Sequence, residues 1–193
     1  MRLTSHAVPS LVCAWLAVFL TACTTPPTKE MQEAQDVIDA ARAAGAEQYA
    51  PTEYTAAVTL LDQAQEAVET GDSRLALSHA LDAREQAQAA STEAASQKAV
   101  ARREAGRALD AVAADIEELD DQLEAAQAAR IPAGQMAESR MTRAAMDAAV
   151  QEARATLAKE EYLAAREAAE KLAAQVRQAI EEIEAALASG SPR

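Results

Sequence analysis

Little in this sequence is equipped for covalent chemistry. Its 193 residues include two cysteines, two histidines, one tryptophan, one phenylalanine, three tyrosines, five glycines and six prolines. Cys13 and Cys23 are the only cysteines, so the chain beyond residue 23 forms no internal disulfide in any redox compartment. His79 is the only histidine after His6. It stands in Ser78-His79-Ala80 with no HExxH or cysteine partner, which reads as a helix-surface residue and not as a metal ligand or general base. There is no phosphate-binding glycine-rich loop, no GxSxG and no CxxC. No catalytic residue, cofactor or metal is expected.

Positive charge is also scarce: 18 Lys and Arg face 31 Asp and Glu, a net charge of −13. Nucleic acid and anionic lipid both need a basic face, so neither is an expected partner of the body of the chain. The basic concentration at Lys98, Arg102, Arg103 and Arg107 has Glu93 and Glu104 beside it, and ion pairing within one helix is the expected use. Glu117-Glu118 and Asp120-Asp121 are expected on solvated faces, because paired-carboxylate catalysis needs a shaped cleft.

What is abundant is alanine, with Glu, Gln, Asp, Arg and Leu, and this composition at helical period signals long helices or coiled coil. Residues 30–44 read as a first helix ended by Gly45. Pro51 pushes Ala50 out of helical geometry, so the stretch between cannot continue it. Thr52 is the expected cap of a second helix with Tyr54, Ala57, Val58, Leu61, Ala64 and Val68 on one stripe. Gly71 ends that helix and Asp72 caps the next. From residue 73 to about 130 nothing breaks the pattern, Gly106 included. Its seam is Ala76, Ala80, Ala83, Ala87 and Ala90, interrupted by polar residues at 91–104. Leu109, Val112, Ile116, Leu119 and Leu123 then resume it in heptad steps. Ile131-Pro132-Ala133-Gly134 breaks the chain, a fourth helix spans about 136–158, and a fifth carries Ala165, Ala169, Leu172, Val176, Ile180, Ile183 and Leu187.

The breaks and stripes recur. A shift of 88 lays Glu30-Met31 over Glu118-Leu119 and Ala40-Ala41-Arg42 over Ala128-Ala129-Arg130. A shift of 89 lays Gly45 over Gly134, Leu61 over Val150, Ala64 over Ala153, Val68 over Leu157 and Asp72 over Glu161. Two explanations stay open: unrelated hairpins of common period, or two duplicated three-helix units sharing one long central helix. The fold class expected is all-α, an elongated helical bundle or coiled coil of about five helices. Its divisions are a first unit at 30–104, a second at 105–188 and a disordered tail at 189–193.

The N-terminus has a short start with one positive charge, an apolar run at 11–20 and then Leu20-Thr21-Ala22-Cys23. The run is about half the ~20 residues a spanning helix needs, so residues 1–22 read as a cleaved secretory signal. Leu20-Thr21-Ala22-Cys23 resembles the lipobox of bacterial lipoproteins. That resemblance implies cleavage after Ala22 and lipidation of Cys23, with the membrane as a partner through this N-terminal lipid. Thr24 in place of an inner-membrane-retaining aspartate implies the outer membrane, facing the periplasm. Residues 23–29, rich in Thr and Pro, would be the tether.

Residues 31–90 resemble the lipoprotein family known as domain of unknown function 4398. The resemblance is carried by Gly45-Ala46-Glu47-Gln48-Tyr49-Ala50-Pro51-Thr52-Glu53-Tyr54, then by Leu61, Ala64, Gly71-Asp72 and Ala76. Ser73 departs from the pattern, which more usually has an aromatic there. The resemblance implies a periplasm-facing helical lipoprotein and no known activity. Gly45, Tyr49, Pro51, Tyr54, Gly71 and Asp72 form the structural turn motif, with the two tyrosines as caps on an alanine-lined core. The function expected is a non-enzymatic envelope scaffold or interaction module, whose partner is another envelope protein. The alternative is a peptide-binding module comparable to tetratricopeptide repeats, which a tyrosine-lined groove would favour.

Overall fold

The computed structural model describes residues 25–190. The signal, the lipobox residues Leu20, Thr21 and Ala22, and Cys23 lie outside the described residues. Six α-helices occur among the described residues: α1 (Thr28–Ala43), α2 (Ala46–Tyr49), α3 (Pro51–Glu69), α4 (Ser73–Ala128), α5 (Ala137–Ala158) and α6 (Tyr162–Gly190). A single 3-10 turn, Ala133–Met136, precedes α5. The fold is all-α, with one long central helix.

Local differences from the sequence expectations have local causes. The sixth helix is the short α2. Gly45, at φ +92°, turns its carbonyl to accept the N–H groups of Gln48 and Tyr49, which closes one helical turn before Pro51. Thr52 does not cap α3: Pro51 occupies the first helical position and Ala50 is the cap residue, at φ −143°. A proline fits there because its missing N–H is one of the helix's unpaired donors. The Pro27 carbonyl accepts from Met31, so α1 begins at Thr28 and takes Thr28 and Lys29 out of the expected tether. At the other end α6 extends through Ser189 and Gly190, two residues assigned to the tail.

Gly71 and Asp72 do what their order suggests. Gly71, at φ +80°, donates to Val68 O, and Asp72 N–H donates to Ala67 O, the paired bonds of a Schellman ending. Asp72 Oδ1 then accepts from Leu75 N–H at 2.9 Å and caps α4.

The chain divides between Thr92 and Glu93 into two compact units, and α4 contributes to both. The boundary expected between 104 and 105 lies within the second of these units, where Lys98 and Glu104 reach Glu160 and Arg166.

The first unit is cored largely by alanine. Ala34 and Ala41 of α1, Ala57 and Ala64 of α3, and Ala76, Ala80, Ala83, Ala87 and Ala90 of α4 are fully buried. Ile38, Tyr54 and Leu61 are the large side chains among them. Each alanine removes little area from water, so close backbone approach and dispersion supply much of the cohesion. In the second unit Leu109, Val112, Leu119 and Leu123 of α4 meet Met146 and Val150 of α5, and Leu172, Val176, Ile180 and Ile183 of α6. Ile116, expected in that seam, is only partly buried at its edge.

Burial follows the same period in the two units, which both open explanations allow. Adding 89 carries buried Ala57, Leu61, Ala64, Ala76, Ala80, Ala83, Ala87, Ala90 and Ala94 onto buried Met146, Val150, Ala153, Ala165, Ala169, Leu172, Val176, Ala179 and Ile183. It also carries Gly71 onto Glu160, which has φ +65°. For the first helix the buried positions do not keep step at a shift of 88. Adding 85 carries Ala34, Ile38, Ala41 and Ala46 onto Leu119, Leu123, Ala126 and Ile131, and Gly45 onto Arg130, at φ +57°. The shift thus lengthens by four between the helices, and the 3-10 turn of the second unit has four residues. The Ala-Ala-Arg identity that suggested 88 is cheap in an alanine-rich chain, whereas a buried stripe cannot slip without exposing itself. Gly134, expected opposite Gly45, lies inside the 3-10 turn.

Candidate functional site

The turn motif assembles around Tyr54. Arg42, in the last turn of α1, donates from Nε to Tyr54 Oη at 2.6 Å, with its guanidinium carbon 5.6 Å from the ring centroid. A second guanidinium nitrogen reaches Asp39 Oδ1 at 3.1 Å. Tyr54 is buried, so this bond satisfies a hydroxyl that burial would otherwise penalise. The Tyr49 ring lies against Gly45, and a Cβ on Gly45 would stand 3.3 Å from its Cδ2. Tyr54 is therefore spent on joining α1 to α3, and half-buried Tyr49 packs back on the Gly45 turn. Arg42 belongs to this constellation although the sequence did not mark it as a site residue; its signal was a lone cation in the last helical turn. From α4, Arg84 reaches Glu33 of α1 at 3.1 Å.

Other residues with chemical potential are dispersed. His79 is half-buried on α4, and its Nδ1 is enclosed without a hydrogen-bond partner. Among the described residues no group of three or more His, Cys, Asp or Glu side chains stands close enough to hold a metal. Glu117, Glu118 and Asp121 are exposed. Asp120 accepts from Arg143 Nε at 2.7 Å, and Arg143 also meets Asp147 at 3.1 Å. The Asp120 hydrogen bond is the main reason the guanidinium holds its proton more tightly than usual.

The basic concentration on α4 pairs differently from expectation. Glu93 accepts from Gln97 at 2.6 Å, and Glu104 accepts from Arg166 of α6 at 2.7 Å. Lys98 donates to Glu160, in the α5–α6 turn, at 2.8 Å, and lies 6.0 Å from the centroid of the Tyr162 ring. Hydrogen bonding from Lys98, with its charge, holds the Glu160 carboxyl below its ordinary range, and Arg102 adds to this through space. Lys98 and Glu104 thus each pair with another element of the second unit. Arg102, Arg103 and Arg107 remain exposed.

No curated protein and no solved structure matches the chain. The residues from the first turn of α1 to Gly106 within α4 do have a counterpart. Residues 29–106 match the family model described as "Domain of unknown function (DUF4398)", the family that the turn motif resembles.

Proposed function

We propose that the chain is a non-enzymatic, lipid-anchored helical interaction module of the cell envelope. It would be held through Cys23, on the outer membrane facing the periplasm, and would work by engaging another envelope protein. The observation that carries this reading is where the ionised groups go. Arg84–Glu33, Arg143–Asp120, Arg166–Glu104 and Lys98–Glu160 each join two parts of a unit at its surface. Apolar side chains fill the space between the helices. Catalytic groups are instead gathered in a cleft that shifts their proton affinities toward the working pH.

Two measurements test the proposal. Metabolic labelling with palmitate should mark the chain and fail on Cys23→Ser, and equal labelling of both would refute the anchor. Crosslinking in cells followed by mass spectrometry should capture an envelope protein, and persistent capture of none would refute the module. A second reading, a peptide-binding module, finds support at one place: Tyr162 lines a groove beside α4. Tyr54 gives it none, being bonded between α1 and α3, and Tyr49 lies against the Gly45 turn.

A further inference from the structure

We propose that the α4 face around Arg102 and Arg103 is a recognition groove for a short acidic peptide segment of a partner protein. The inference rests on reading the chain as an interaction module and names the chemistry of what it engages. The open groove has a volume of about 600 Å³ and is lined by Ala95, Ala99, Arg102 and Arg103 of α4 and by Tyr162, with Lys98 and Glu160. Ala95, Ala99, Arg102 and Arg103 fall at helical spacing on one stripe of α4, and all four are exposed. Lys98 and Glu160 neutralise one another at the rim.

What remains for a ligand is two guanidinium forks beside the methyl groups of the two alanines. Among the described residues no carboxylate oxygen stands within 4.0 Å of Arg102 or Arg103, and Arg102 acts on Glu160 only through space. A guanidinium presents parallel donors that match a carboxylate in bidentate fashion. Two arginines fit one or two acidic side chains, while the alanine lining admits small aliphatic neighbours such as alanine.

The overall charge selects the length of the ligand. At physiological ionic strength the screening length is about 8 Å. A short peptide seated on the arginines feels mainly their local field. An extended polyanion or an anionic bilayer also feels the rest of a chain of net charge −13, and is repelled. Surface charge therefore favours an acidic segment of a protein over a polymeric glycan or a lipid surface.

The test uses the full lipidated protein in neutral detergent and a fluorescein-labelled hexapeptide of glutamate and alanine, followed by anisotropy. Saturable binding should weaken about tenfold or more in the Arg102→Glu, Arg103→Glu double variant. It should also weaken as salt rises. Arg140→Ala removes an exposed arginine at the far end of the second unit and should leave binding unchanged. Circular dichroism of each variant separates lost binding from lost folding. The proposal is overturned if the peptide does not bind, or if the double variant binds as well as the parent. It is also overturned if heparin or phosphatidylglycerol vesicles bind where the peptide does not, or if the arginines serve only self-association that the peptide fails to displace. Failure here with an envelope protein still captured by crosslinking would remove the groove and leave the module reading standing.

Discussion

Arg130 follows α4 at φ +57°, the conformation that Gly45 and Gly71 adopt where α1 and α3 end. Its N–H donates to Gln127 O and that of Ile131 donates to Ala126 O, both at 3.0 Å, so the ending is held by backbone groups alone. Exchanging the side chain leaves those bonds intact. Arg130 is exposed. An L residue in the left-handed region costs about 1–2 kcal/mol, while glycine's greater freedom in the unfolded chain costs about 0.5–1 kcal/mol. Arg130→Gly should therefore stabilise the protein by about 0.5–1 kcal/mol. For a chain of this length 1 kcal/mol is a rise of about 2–4 °C in Tm, readable by circular dichroism. Glu160→Gly relieves the same strain at φ +65° but gives up the bond from Lys98, so its gain should be smaller. A lower Tm for Arg130→Gly, with helix content unchanged, would refute the reasoning.

Three further outcomes follow from the packing and the charges. Leu119 is fully buried, so Leu119→Ala should cost about 2–5 kcal/mol in urea unfolding, whereas Ala87→Val, at the counterpart of Val176, should overpack its seam and cost about 1–3 kcal/mol. A neutral or stabilising Ala87→Val would show that the alanine seam has room to spare. Asp72→Ala removes the acceptor for Leu75 N–H and should cost about 1 kcal/mol, visible as faster amide exchange in the first turn of α4. The Glu160 pKa lies below its ordinary 4.5 because of Lys98, so the stabilisation it supplies is complete above 4.5 and fades as pH falls through the lower folded value. In Lys98→Ala an NMR titration of Glu160 should move back up toward 4.5, and an unmoved midpoint would assign the shift elsewhere.

The helices were legible because what specifies them is local. The alanine stripe from Ala76 to Ala90 and the larger one from Leu109 to Leu123 each repeat within a few residues. Gly71-Asp72 carries its ending and its cap in two adjacent letters. Partners at long range were not legible. Lys98 meets Glu160 and Arg166 meets Glu104 across 62 residues each, and nothing near Lys98 in sequence announces which acid faces it once α6 is laid down. The shift of 88 has a related cause: Ala40-Ala41-Arg42 finds a chance likeness at 128–130, while the buried positions that keep step carry different residues in the two units. Ala34 and Leu119, or Ala83 and Leu172, agree only in being hidden.

That difference in size bears on where function resides. Interhelical distance follows the side chains at the contact, so an alanine seam draws helices closer than one of leucine, valine and isoleucine. Corresponding positions therefore need not make corresponding surfaces. Tyr162 stands at the counterpart of Ser73, so an aromatic follows the α5–α6 turn where the first unit has a small hydroxyl. Under the shift of 89 that carries Ala94 onto Ile183, the groove's Ala95 and Ala99 fall at Glu184 and Ala188 near the end of α6, and its two arginines fall at Ser191 and Pro192 in the sequence. The buried seam expected to lapse at 91–104 instead runs on through Ala94, Ala101 and Ala105, while Arg102 and Arg103 face outward beside the groove.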